Sequence, residues 1–257
     1  MWVMLLAVLV GLLVQQPETL SLLGEPLHRP KLPKAERAAA EADFARAHAA
    51  YTAKPSGTAE ILALQQAHLA LGRIGDALVV LTHGIEANPE EAPLFLERGR
   101  GYILIRKFAV AERDLRKAAE KLPAARCTLG FALYLSGDYD RARAAYADCR
   151  DTGVFGYLAE RRAGRAAAKP PAPDGPIPTT SPPIRFPGTV KKGDAAAAEP
   201  IAASYLTAIE QLLAGNEDDA RERLKTIVEK NRKDWMEPAY IAAEADYARL
   251  RKVDRKR

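Results

Sequence analysis

The stretch GDYDRARAAYADC at residues 137 to 149 has near echoes upstream, in GDALVVLTHGIEANP, and downstream, in GNEDDARERLKTIVEKN. Glycine frees φ for a tight turn, and an acidic or amide residue behind it suits the start of a helix. Small residues at fixed offsets then let two antiparallel helices approach closely. A single hairpin of this kind leaves an apolar face bare. Its recurrence therefore commits the chain to stacking one hairpin on the next.

The echoes form units. Residues 58–91 read as two helices with Gly72 and IGDA at the joint, and with Leu64, Ala77, Leu81, Gly84 and Pro89 at the packing offsets. Residues 92–122 place Phe95, Gly99, Tyr102, Phe108, Ala111, Leu115 and Ala118 at the same offsets. Residues 123–156 place Leu129, Gly130, Leu133, Gly137, Tyr139, Ala142, Tyr146 and Cys149 there, and a unit from 201 places Ala208, Gly215, Ala220, Leu224 and Ile227. The pattern resembles the tetratricopeptide repeat, a helix-turn-helix unit of about 34 residues. The resemblance covers roughly residues 34–160 and 199–252. It departs from the family in the 31-residue second unit and in Arg232, which stands where the closing proline belongs. It implies an all-α, right-handed superhelical solenoid.

The remaining segments arrange themselves around these units. Residues 1–14, MWVMLLAVLVGLLV, carry no charge and span about 21 Å as a helix, short of the ~30 Å hydrocarbon core. Residues 1–24 read as a signal peptide, or alternatively as an uncleaved membrane anchor helped by Leu20, Leu22 and Leu23. Residues 34–53, behind Pro33 and with Phe44, Ala47 and Tyr51 on one face, form a lone helix that caps the first pair. The repeat block extends to residue 168. Eight prolines in residues 169–188 forbid helix, so residues 169–198 are a linker. Residues 199–252 hold a C-terminal pair and a terminal helix, with Asp234 and Glu237 at capping-box spacing. Residues 253–257 are a basic tail. SLLGEPLHRPKLP and YIAAEADYARL are also similar to segments of exported bacterial tetratricopeptide proteins of undefined function, which implies a periplasmic or membrane-anchored location outside the cytoplasm.

The net charge of +5 is accounted for by the last nine residues, RLRKVDRKR, with six basic side chains against one acidic. The rest of the chain is balanced, so no basic face for nucleic acid is present. The tail reads as a solvated helix end. A phosphate-binding or lipid-docking tail is the alternative.

No catalytic, cofactor or metal motif is legible. The four histidines, His28, His48, His68 and His83, lack metal-ligand spacing, and no CxxC, GxSxG or phosphate-binding loop occurs. Cys127 and Cys149 fall at one end of the third pair. An oxidising compartment permits a disulfide, but reduced thiols are the favoured reading. In the resembled family, the first helix of each pair lines a concave face. Carried over position by position, the groove residues are Leu62, Gln66 and Leu69, then Leu96, Arg100 and Ile103, then Cys127, Phe131 and Tyr134. An apolar trough with Arg100 at its middle suits an extended protein segment.

The functional expectation is thus a non-enzymatic protein-binding scaffold, without a cofactor, that serves envelope or secretion complex assembly. The alternative is an enzyme, or enzyme subunit, with a site between repeats and linker and with His68, His83 or Cys127 as the active group.

Overall fold

A computed structural model describes residues 16–149, 153–165 and 201–254. The apolar run at 1–14 and the proline-rich linker at 169–198 lie outside these residues. Eleven α-helices follow a two-stranded hairpin among the described residues: β1 (Thr19–Leu20) and β2 (Pro26–Leu27), then α1 (Lys34–Ala53), α2 (Thr58–Ala70), α3 (Ile74–Ala87), α4 (Ala92–Leu104), α5 (Phe108–Ala119), α6 (Ala125–Ser136), α7 (Tyr139–Tyr146), α8 (Gly153–Arg162), α9 (Ile201–Leu213), α10 (Glu217–Lys230) and α11 (Pro238–Asp254). Consecutive helices pack on one another from α1 to α11, and alternate helices α2, α4, α6 and α8 also touch. This is the packing order of a helical solenoid.

Three glycines set the helix crossings. A Cβ on Gly84 would stand 2.8 Å from Ile61 Cγ2, one on Gly99 2.6 Å from Leu115 Cγ, and one on Gly130 3.1 Å from the Tyr146 ring. Ala77, Ala111, Ala118 and Ala142 are buried in the same seams. The spacing of small residues in the sequence therefore corresponds to close approach of backbones.

Gly137 turns the chain with φ +87°, and Asp138 caps α7 by accepting a hydrogen bond from the Arg141 amide at 3.2 Å, as the GDY pattern implies. Gly72 and Gly215 take the same left-handed conformation in the α2–α3 and α9–α10 turns. At the α4–α5 turn the equivalent residue is Arg106, with φ +63°. An L side chain there is strained by about 1 kcal/mol or more.

Four segments add to or differ from the sequence expectation. Glu18, Thr19 and Leu22, which fall within the expected leader, are hydrogen-bonded to the helices. Glu18 accepts from the Ile74 amide at 3.0 Å, and the Leu22 amide donates to Glu244. Helix α8 is an extra element after the third pair, built on GVFGYLAERR. The capping box at Asp234 and Glu237 does not form. Residues Arg232–Asp234 make a 3-10 turn, and α11 starts on Pro238, whose fixed φ suits the first helical position. Finally, the helix end that leads into the basic tail is only partly solvated. Arg249 donates to the Leu135 carbonyl at 2.7 Å and to Asp246 at 2.6 Å, while Arg251 and Lys252 are exposed.

The C-terminal helices stack on the first block. One buried apolar cluster runs from Leu27 and Leu69 through Leu115, Tyr134 and Phe155 to Tyr205 and Ala245. Within α11, residues 239 to 246 are all buried. A helix closed in on every side cannot be a simple terminal cap on α10. It also packs against α9 and α6.

Candidate functional site

The nine expected groove residues differ in exposure. On α2, Gln66 is exposed, Leu62 is half-buried against Ile61, Leu81 and Leu94, and Leu69 is buried. On α4, Leu96, Arg100 and Ile103 are all buried. On α6, Cys127 and Tyr134 are buried, and Phe131 is half-buried with its ring 4.6 Å from that of Phe155.

The α6 part of the trough is filled by the chain itself. The Tyr134 hydroxyl lies 2.8 Å from that of Tyr205 on α9, and the Tyr205 hydroxyl donates to Asp246 on α11 at 2.6 Å. Asp246 also accepts from Arg162 on α8 at 2.7 Å and from Arg249. Burial alone would push its carboxyl up. The Arg162 and Arg249 guanidiniums, with hydrogen bonds from Arg162 and Tyr205, more than offset that and hold it below the usual range. Burial raises the Tyr134 and Tyr205 hydroxyls well above 10, so both are protonated donors in this network. The Arg162 guanidinium lies 4.2 Å from the Tyr139 ring centroid.

A second buried charge pair sits two residues earlier on α11. Glu244, fully buried, accepts at Oε2 from Arg106 Nη2 at 2.7 Å and Nε at 3.2 Å, and at Oε1 from the Leu22 amide. Arg106 Nη2 also reaches the Trp235 carbonyl at 2.7 Å, and Trp235 Nε1 donates to the His28 carbonyl at 3.0 Å. This network explains the left-handed arginine. A glycine at 106 would turn the chain without strain but could not tie the hairpin and α11 to α4. Glu244, Asp246, Arg106 and Arg162 carry no repeat signature. Their sequence signal is two acids in the otherwise apolar AYIAAEADYA, and a cation where sister turns have glycine.

On α2 the surface is more open, whereas every residue of α4 is buried or half-buried. Ala59, Ala63 and Gln66 are exposed on α2. Gln66 and Arg100 are the ninth residues of helices of equal length that touch each other. Arg100 Nη1 donates to Glu97 Oε1 at 2.6 Å, while Nη2 is buried with no acceptor among the described residues. A buried guanidinium nitrogen of this kind takes an oxygen acceptor, from solvent or from a bound group.

The chemistry-bearing residues are dispersed. Cys127 and Cys149 form a disulfide, with Cα atoms 5.8 Å apart, which corrects the expectation of reduced thiols and removes Cys127 as a thiol nucleophile. The antiparallel α6–α7 pair brings the start of one helix to the end of the other. His68 packs edge-on to Phe44 and lies 3.8 Å from Asp76, whereas His83 is exposed. Burial lowers the His68 imidazole below 6.5, with Asp76 opposing and Arg73, His48 and Arg29 assisting. Among the described residues, no group of three or more His, Cys, Asp or Glu side chains is placed to hold a metal ion, and no helix is long and apolar enough to cross a membrane. No protein-family model matches the sequence, and no curated protein matches it significantly.

Proposed function

We propose that the protein is a non-enzymatic scaffold of the tetratricopeptide type, a right-handed superhelix that holds an extended protein segment across α2 and α4. The observation that carries this reading is Arg100. Its guanidinium is held in place by Glu97, has a buried nitrogen with no acceptor among the described residues, and lies one repeat away from the exposed Gln66. A backbone carbonyl or side-chain carboxylate of a bound strand supplies the missing acceptor. The apolar flanks of Leu62, Ala59 and Ala63 take its side chains. The left-handed turn residues Gly72 and Arg106 stand one repeat length apart in the sequence, about 34 residues, which supports the repeat type.

The groove of this reading is shorter than the repeat pattern implies, because α8, α9 and α11 cover α6. Export to an envelope or secretion complex belongs to the same proposal. It is supported by the disulfide, which persists in oxidising compartments, and by the uncharged run at 1–14.

The test is selection of extended peptides from a random display library on the immobilised full chain, followed by affinity measurement on purified variants. Arg100→Gln is expected to weaken the selected peptides at least tenfold, with helicity and melting unchanged. Failure to enrich any peptide, or equal affinity of the variant, overturns the reading. Phe131→Ala is a poor control, since the Phe131 ring packs on Phe155.

A further inference from the structure

A small cleft of about 80 Å³ opens where the segment after β2, α1 and the α2–α3 turn meet. Three arginines line it, Arg29, Arg37 and Arg73. Glu18 is the partner of Arg29, but its side chain is only 5% exposed and its other oxygen is taken by the first amides of α3, from Ile74 at 3.0 Å and Gly75 at 3.4 Å. Among the described residues neither Arg37 nor Arg73 has a carboxylate within ion-pair distance. Arg73 is held instead by the Phe44 ring, 5.1 Å from the centroid, and Phe44 is itself braced by His68 at 4.9 Å. Pro30, Leu32 and Leu71 supply apolar walls, and Glu41 is the single carboxylate on the lining.

We propose that this cleft binds a small organic carboxylate that also carries a hydrogen-bond donor, an amino or hydroxy acid of a few heavy atoms. Charge, size and polarity converge on that class. Two guanidiniums without a carboxylate partner line the same cleft, one of them fixed by an aromatic face, and planar guanidinium matches carboxylate oxygens. The apolar walls take a short carbon chain. Glu41 disfavours a dianion such as phosphate and accepts from an adjacent ammonium or hydroxyl group. The site is separate from Arg100 and does not depend on peptide binding there.

The experiment uses the full chain with lactate, alanine, acetate and inorganic phosphate as probes, at constant ionic strength, read by calorimetry and by arginine 15Nε chemical shifts. Lactate or alanine is expected to bind at millimolar strength and more tightly than acetate or phosphate. Arg37→Gln, an exposed change on α1 that leaves the fold intact, is expected to weaken binding at least tenfold. Arg73→Lys keeps the charge but loses the planar fork, and weakens it too. Glu41→Gln is expected to abolish the preference for lactate or alanine over acetate while acetate still binds. No binding by wild type, unaltered binding by Arg37→Gln, or phosphate as the tightest probe each overturns the proposal.

Discussion

Arg106 donates from both Nε and Nη2 to one carboxylate oxygen of Glu244, 138 residues further along the chain, and both side chains are almost wholly removed from solvent. The pair joins a turn of the first block to the middle of the last helix, and the Leu22 amide on the other oxygen adds the N-terminal hairpin. Removing one partner strands a buried charge, at a cost of about 3–5 kcal/mol. Glu244→Ala is expected to lower the urea midpoint by that equivalent. The double variant Arg106→Gly, Glu244→Gln relieves the left-handed strain and keeps an acceptor for Leu22, so it recovers more than half of the loss. A Glu244→Ala protein as stable as wild type would show that the pair does not hold the ends together.

Asp246 makes the stability of the C-terminal block acid-sensitive. Its carboxyl is depressed in the folded protein, so its contribution is fully present above the unfolded value near 3.8 and is lost as pH falls through the folded value below it. Melting temperature measured between about pH 5 and pH 2.5 is expected to fall more steeply in wild type than in Asp246→Asn. Asp246→Asn should be less stable at the upper end of that range, with the two curves converging at the acid end. Parallel curves would remove Asp246 from the account of acid unfolding.

Helices α1 to α7, α9 and α10 announce themselves in the sequence through glycine, alanine and large apolar residues at repeating offsets, because seam packing depends on volume at fixed positions. Gly84, Gly99 and Gly130 are readable for that reason. Helix α8 is not, since the proline-rich segment separates it from the next helix it packs against. The buried pairs Arg106–Glu244 and Arg162–Asp246 are not readable either. They join residues far apart in sequence, and the charges of Glu244 and Asp246 read locally as a solvated helix face. The groove suffers from the same blind spot. Tyr134 occupies a groove offset in its own repeat, and only tertiary folding of α9 and α11 covers it.

The disulfide closes a separation of 22 residues between Cys127 and Cys149. Chain-entropy reasoning assigns a loop of this size about 3 kcal/mol. Reduction with dithiothreitol is expected to lower the melting temperature by about 6–12 °C at the usual sensitivity for a chain of this size. The variant Cys127→Ala, Cys149→Ala should match the reduced protein and ignore the reductant. Alkylation of two thiols in the native, unreduced protein would show the bond to be absent.

Glycine at the helix crossings gives a position-specific prediction with an internal control. A Cβ at Gly99 would press on Leu115 Cγ at 2.6 Å and on the Ala111 carbonyl oxygen at 3.3 Å, so part of the clash falls on backbone that cannot swing away. Gly99→Ala is therefore expected to destabilise by about 1–3 kcal/mol, as overpacking in a filled seam does. Gly75 also lies in a helix, but a Cβ there meets nothing within 4 Å. Gly75→Ala should stabilise by about 0.5–1 kcal/mol through helix propensity and a stiffer unfolded chain. Both are read from denaturant midpoints of the full chain. The opposite signs at two helical glycines distinguish a packing requirement from a general preference for alanine. Equal effects at both positions would mean that the α4–α5 seam yields more easily than its contacts imply.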